Sequence, residues 1–269
     1  MSRELTLNLG LLTVLGGYLF LRRKHKVTSP TRSLSDLSRK RRETVLRQIG
    51  NFYELPDYSD LKLLFKEMEG NRGFRTRFYG YLVGNDIYQL LNEEFVDELA
   101  SLLAHLSRDC ESDGPIVEIC AGDGKLTYHL REGGLNIVAT DDYSDRKIKR
   151  DESHVGELDY MRALEKYNPR IVVCSWLPYR SKLGKDVINY PSVKYLVTIG
   201  EGHGGTSGDG SIYSIADSLD PVRMRGGLTR RIDRYLSRKR IKKVNRYALC
   251  RSDTDIRSPN SLVEVFQKK

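Results

Sequence analysis

Cysteine is scarce in this chain and never closely paired: Cys110, Cys120, Cys174 and Cys250 are the only four in 269 residues, with no CxxC among them. That spacing excludes a disulfide-stapled scaffold and a cysteine-ligated zinc site. Cys120 and Cys174 lie inside apolar runs of strand length, so the sequence predicts buried free thiols in a reducing compartment. Histidine is also sparse. His203 and Asp209 share a glycine-rich stretch without further ligands, which is a poor metal site, and no metal is expected. Net positive charge is missing ahead of the one long uncharged run, residues 5–21, since of the charged residues only Arg3 and Glu4, which cancel, precede it. A cleaved signal peptide would carry its positive charge before the run and small residues after it.

What the chain does have is positive charge, concentrated in two places. Residues 22–47 hold ten Lys/Arg against two acids, and residues 223–246 hold eleven against one. These patches of +8 and +10 leave the rest of the chain at −9 against a whole-chain net of +9. The seventeen uncharged residues 5–21 are at the short end of a bilayer span. Arg22, Arg23, Lys24 and Lys26 follow at once, and the positive-inside rule then puts residues 22 onward in the cytoplasm. The expectation is a single-pass transmembrane anchor with a basic collar over residues 1–26, in contact with membrane lipid. An interfacial helix or a buried core helix are the alternatives, because Asn8 and two threonines interrupt the run. Residues 27–43, rich in Ser, Thr and Pro and then basic, read as a flexible linker whose Arg39 to Arg42 would meet anionic headgroups. Residues 44–110 read as a helical extension, and residues 111–269 as an α/β domain.

The chain is organised around residues 116–130 (IVEICAGDGKLTYHL) and 136–142 (NIVATDD). An apolar run of strand length turns through two glycines into an amphipathic helix, and a second β-branched run ends on paired acids. Glycines at such a turn let backbone approach a ligand where a side chain would collide. Acids about twenty residues on are placed to accept from ribose hydroxyls. The third glycine of a dinucleotide fingerprint is missing, and no Lys-Ser/Thr follows to mark a phosphate-binding loop.

This segment resembles the first motif of the class I S-adenosylmethionine-dependent methyltransferases, an acid followed by three alternating glycines. On that resemblance Glu118 takes the acid position, Cys120 stands where the first glycine is usual, and Gly122 and Gly124 take the other two. The implied cofactor is S-adenosyl-L-methionine. Asp141 or Asp142 would hold the ribose, alignment on Ala-Thr-Asp favouring the former and on the following Tyr-Ser the latter. Asp159 would bond the adenine amino group with Tyr160 stacking on the ring, although Asp159 also reads as a helix N-cap. The run 171–175 (IVVCS) reads as a buried parallel strand. It leads into Ser175, Trp176, Leu177, Pro178 and Tyr179, where amino-methylating members carry Asn/Asp-Pro-Pro-Tyr/Phe. Ser175 and Tyr179 are the implied acceptor-site residues, and Trp176 either stacks on a flat substrate or caps the core. Glu201 or His203, in a stretch with six glycines among residues 200–210, could act as a base.

The resemblance implies a Rossmann-like seven-stranded sheet of order 3-2-1-4-5-7-6 with strand 7 antiparallel, together with an N-terminal membrane helix and a helical lid. The lid is expected at residues 79–85, a helix at 88–106, a short helix at 212–219 and a closing strand pair at 243–250 and 262–266. Three functions are weighed: a membrane-tethered methyltransferase of unknown acceptor, a nucleic-acid methyltransferase using residues 223–246, and a non-catalytic binding module on the same fold. The first is favoured; residues 223–246 carry few aromatic platforms for bases, while Cys120 and the altered fourth motif are what point to the third, since fold alone does not establish activity.

Overall fold

The structure, a computed structural model, describes residues 39–111, 113–144, 153–177, 181–201, 212, 236–253 and 260–268, with side chains omitted at 236–238. The expected anchor at 5–21 lies outside the described residues. Among the described residues, no helix is long and apolar enough to cross a membrane.

Seven strands form one sheet: β1 (Ile116–Ile119), β2 (Ile137–Asp141), β3 (Val155–Glu157), β4 (Ile171–Ser175), β5 (Tyr195–Gly200), β6 (Leu236–Arg240) and β7 (Leu262–Lys268). Their order is β3-β2-β1-β4-β5-β7-β6. The first five are parallel, while β7 runs antiparallel to both β5 and β6. The Rossmann-like order and the reversed seventh strand are those expected from the sequence.

Both sheet faces are apolar, which is why β4 and, apart from Glu118, β1 read as continuous hydrophobic runs rather than alternating ones. The helices that cover one face are α4 (Glu93–Cys110), α5 (Lys125–Glu132) and the single turn α8 (Lys242–Asn245). The other face carries α6 (Tyr160–Tyr167) and α7 (Leu183–Asn189). Ahead of them, α1 (Arg39–Gly50), α2 (Tyr58–Gly70) and α3 (Arg72–Gly84) bury Val45, Leu61, Phe65, Phe78 and Leu82 in a core of their own.

Three readings of the sequence are corrected here. Helix α1 begins at Arg39, inside the stretch read as linker, and Arg41 and Arg42 pair with Asp60 and Glu67 of α2 rather than standing as a free lipid contact. The helix expected from Tyr88 starts at Glu93. Asn92 caps it by accepting from the Phe95 amide at 2.9 Å, and Gln89 bridges to Cys250 in extended form. Residues 79–84, where a lid is expected, are the last turns of α3, with Leu82 buried in the helical core and Tyr79, Tyr81 and Val83 exposed. The strand paired with β7 is Leu236–Arg240, not 243–250, where Lys242–Asn245 makes a helical turn around buried Val244. Of residues 212–219 only Ile212 is described, and it is buried.

Candidate functional site

Because β1 to β5 are parallel, the residues that follow them gather along one edge. The order reverses between β1 and β4, the point where ligands of open α/β sheets bind. Cys120, Gly122, Gly124, Asp141, Asp142, Asp159, Tyr160, Ser175 and Glu201 all lie at these carboxyl ends. Pro178, Tyr179, His203 and Asp209 lie outside the described residues.

The turn after β1 is built from left-handed residues: Cys120, Gly122 and Gly124 have φ of 53°, 60° and 77°. Cys120 therefore keeps the conformation a glycine would favour, at a cost of about 1–2 kcal/mol for a residue with a Cβ. The two glycines serve different ends. An added Cβ at Gly124 would lie 2.5 Å from Val155 Cγ2, so this glycine lets α5 pack on β3. At Gly122 an added Cβ would meet nothing within 4 Å among the described residues. The turn is fastened to its neighbour strand by Ala121 N donating to Thr140 O at 3.1 Å and Gly122 N donating to Asp141 Oδ2 at 2.9 Å.

Glu118, just below this edge, is buried between β1 and α5. It is 1% exposed, and its Oε2 accepts from the Thr127 hydroxyl. Burial pushes its pKa up to about 7, with the Thr127 hydrogen bond opposing the rise. Cys174, at the end of β4, also lies inside, and a hydrogen bond with the Cys120 thiol, reinforced by burial, holds it well above the usual thiol range.

The two acids at β2 behave differently. Asp141 is buried and binds backbone through both oxygens, Oδ2 from Gly122 N and Oδ1 from Tyr143 N at 2.7 Å. Asp142 is exposed, with Oδ1 taking the Ser144 amide at 2.9 Å. Asp159 caps α6, Oδ1 accepting from Arg162 N at 3.0 Å while Oδ2 faces the Arg162 guanidinium at 3.4 Å. Tyr160 is half-buried beside it, its hydroxyl donating to Asp186 Oδ2 at 3.1 Å.

At the far side of the edge, Ser175 ends β4 and Trp176 follows with φ 61°. Trp176 N donates to Ile199 O at 2.7 Å, and its indole Nε1 donates to Gln89 Oε1 at 3.2 Å. Ser261 donates to the same oxygen at 2.9 Å, and Tyr88 packs on the indole at 5.7 Å while Arg251 covers Tyr88 at 3.7 Å. Glu201 Oε1 accepts from Ser252 Oγ at 3.0 Å. The sequence reading missed Tyr88 and Gln89 because it placed them in a helix. Asn92 followed by two acids was the signal for a later helix start.

A second group missed from sequence covers the turn from the extension side. Lys125 Nζ donates to Gln48 O and Ile49 O, the last carbonyls of α1, at 3.3 and 3.2 Å. Burial lowers this ammonium to about 8. His129, pushed down to about 4 by burial and so neutral, stands with Nε2 at 3.0 Å from Phe52 O. Phe52 stacks on His154 at 5.0 Å and meets Tyr128 at 5.2 Å. Residues 48–53 rather than 79–85 therefore lie against the helix that follows the glycine turn.

Among the described residues, no group of three or more His, Cys, Asp or Glu could hold a metal ion. The basic segment contributes β6 at the sheet edge, where Lys239 and Arg240 are exposed and Arg240 Nε meets Glu264 at 3.2 Å. Lys243 pairs with Glu98 at 2.7 Å, and residues 223–235 lie outside the described residues. Charged side chains on an edge strand also block pairing with other chains. A comparison with models of protein families finds no match to this chain, and a comparison with curated proteins finds no significant one.

Proposed function

We propose that this protein is an S-adenosylmethionine-dependent methyltransferase tethered to a membrane by residues 5–21, with the catalytic domain facing the cytoplasm. The observation that carries the cofactor reading is the left-handed turn at Cys120, Gly122 and Gly124, with room at Gly122 among the described residues, fastened to Asp141, which the exposed Asp142 follows in sequence. That arrangement fits a nucleoside with a small charged tail: Gly122 gives the tail room and Asp142 accepts from the ribose hydroxyls. Asp141 holds the turn in shape. Tyr160 and the remaining capacity of Asp159 would flank the adenine. The cofactor's sulfonium supplies an already activated methyl group, so the protein's task is alignment of the acceptor and exclusion of water. Ser175 and Tyr179 would position that acceptor, whose identity stays open, and Glu201 would take its proton.

Titration of S-adenosylmethionine into the full chain, followed by calorimetry, tests the reading directly. Binding in the micromolar range supports it, and no heat at millimolar cofactor sinks it. A second reading, a binding module without catalysis, is favoured by Glu201 accepting from Ser252 and Asp159 capping α6. Cofactor binding without methyl transfer to any protein, lipid or RNA pool would support that alternative.

A further inference from the structure

We infer that the exposed face of α3 docks on a bilayer surface carrying anionic lipid. Helix α3 contains Arg72, Arg75 and Arg77 and no acid, and none of the three makes an ion pair with a described residue. Arg72, Arg75, Tyr79 and Val83 recur at steps of three, four and four, which lines them along one stripe of the helix. All four are exposed, Tyr79 at 50% and Val83 at 41%. A stripe of arginines ending in an aromatic and a β-branched residue is an interfacial pattern: the guanidiniums meet phosphates while Tyr and Val enter the headgroup boundary.

Beside the stripe, α1 and α3 enclose a groove of about 420 Å³ lined by Leu46, Phe74, Phe78 and Tyr81, with Arg47 and Arg77 also lining it. Apolar floor and cationic lining together suit a hydrocarbon segment below an anionic headgroup. A phosphodiester backbone would use the arginines but not the floor, which is why lipid is favoured over nucleic acid. In sequence, seventeen residues separate the uncharged run 5–21 from the start of α1. The inference does not depend on cofactor binding, and its test is local enough to be independent of whether residues 5–21 anchor the chain.

The experiment is amide hydrogen exchange on the full chain with phosphatidylcholine vesicles, with and without phosphatidylserine. Exchange within residues 72–84 should slow by about ten-fold or more only when phosphatidylserine is present. Arg72→Glu, Arg75→Glu and Arg77→Glu combined should abolish that protection with the circular dichroism spectrum unchanged. The loss expected from three basic contacts is about 100-fold in partitioning. Tyr79→Ser with Val83→Ser, which leaves every charge in place, should weaken the same protection. Equal exchange on both vesicle types overturns the inference. So does protection of residues 72–84 by single-stranded RNA at physiological salt without lipid, which would make the stripe a nucleic-acid contact.

Discussion

The amide of Gly122 donates to Oδ2 of Asp141 across 2.9 Å, so the glycine turn after β1 is fastened to the tip of β2. With Oδ1 engaged by Tyr143 N, Asp141 is a fixture of the turn. Asp142, one residue on, is exposed. The two acids are therefore separable by mutation. Asp142→Ala should lower S-adenosylmethionine affinity by about 10–150-fold, the loss of one charged acceptor at about 1.5–3 kcal/mol, with an unchanged melting temperature. Asp141→Ala should lower the melting temperature itself, because the buried Tyr143 amide and the part-buried Gly122 amide lose their partner. Calorimetry and thermal denaturation of both variants separate these outcomes; equal melting points would mean that the fastening contributes nothing.

The glycines should separate in the same way. Gly122→Ala puts a Cβ where nothing among the described residues lies within 4 Å, at φ 60°, costing about 1–2 kcal/mol of backbone strain while leaving the fold intact. It should nevertheless abolish cofactor binding. Gly124→Ala drives a Cβ to 2.5 Å from Val155 Cγ2 at φ 77° and should destabilise the protein more than Gly122→Ala does. Urea unfolding of the two variants decides the order.

Glu118 makes stability depend on pH. Its folded pKa of about 7 lies above the unfolded 4.5, so between these values the native state holds more protons than the unfolded chain. Stability contributed by the protonated group is complete below about pH 4.5 and is lost as pH rises through 7. The change from pH 5 to pH 8 is on the order of 2–3 kcal/mol. Glu118→Gln keeps a partner for Thr127 and should flatten that dependence in urea midpoints measured at the two pH values.

Lys125 joins the glycine turn to the end of α1. Lys125→Met keeps the buried stem but removes both hydrogen bonds to Gln48 O and Ile49 O. Hydrogen exchange over residues 45–50 should quicken by about ten-fold or more while β1 and β4 stay protected. Unchanged exchange would show that the apolar contacts alone hold α1.

Trp176 is the only tryptophan in the chain, so its fluorescence reports one site. Gln89→Leu removes the acceptor that its indole shares with Ser261. The emission should shift as the indole loses that partner, and stability should fall by about 1–3 kcal/mol. An unshifted spectrum would mean that packing on Tyr88 alone fixes the ring.

The central strands were legible in the sequence because strands buried on both faces must be written as continuous apolar runs, as at 171–175 and, apart from Glu118, at 116–119. β6 was not legible for the opposite reason. It forms the sheet edge, where Lys239 and Arg240 face solvent, and its only register is supplied by β7. Gln89 was hidden in an apolar neighbourhood whose period looked helical, although the cap at Asn92 was visible. The glycine turn could be read as a motif, and the resemblance could assign Glu118 a place. Neither could show that Glu118 turns inward to Thr127, that Asp141 is committed to backbone, or that Lys125 reaches α1, since each depends on elements distant in the chain.

β7 is the seventh strand in chain order yet lies inside the sheet, between β5 and β6. During synthesis, β6 therefore emerges with no strand to pair with and must wait for residues 262–268 before it can join. Until then β5 is itself an open border, with a row of unsatisfied amides and carbonyls beside an apolar face. The molecule's most vulnerable moment is kinetic, in the interval before its seventh strand inserts, and the positive charges of β6 are then a guard against the wrong neighbour pairing first.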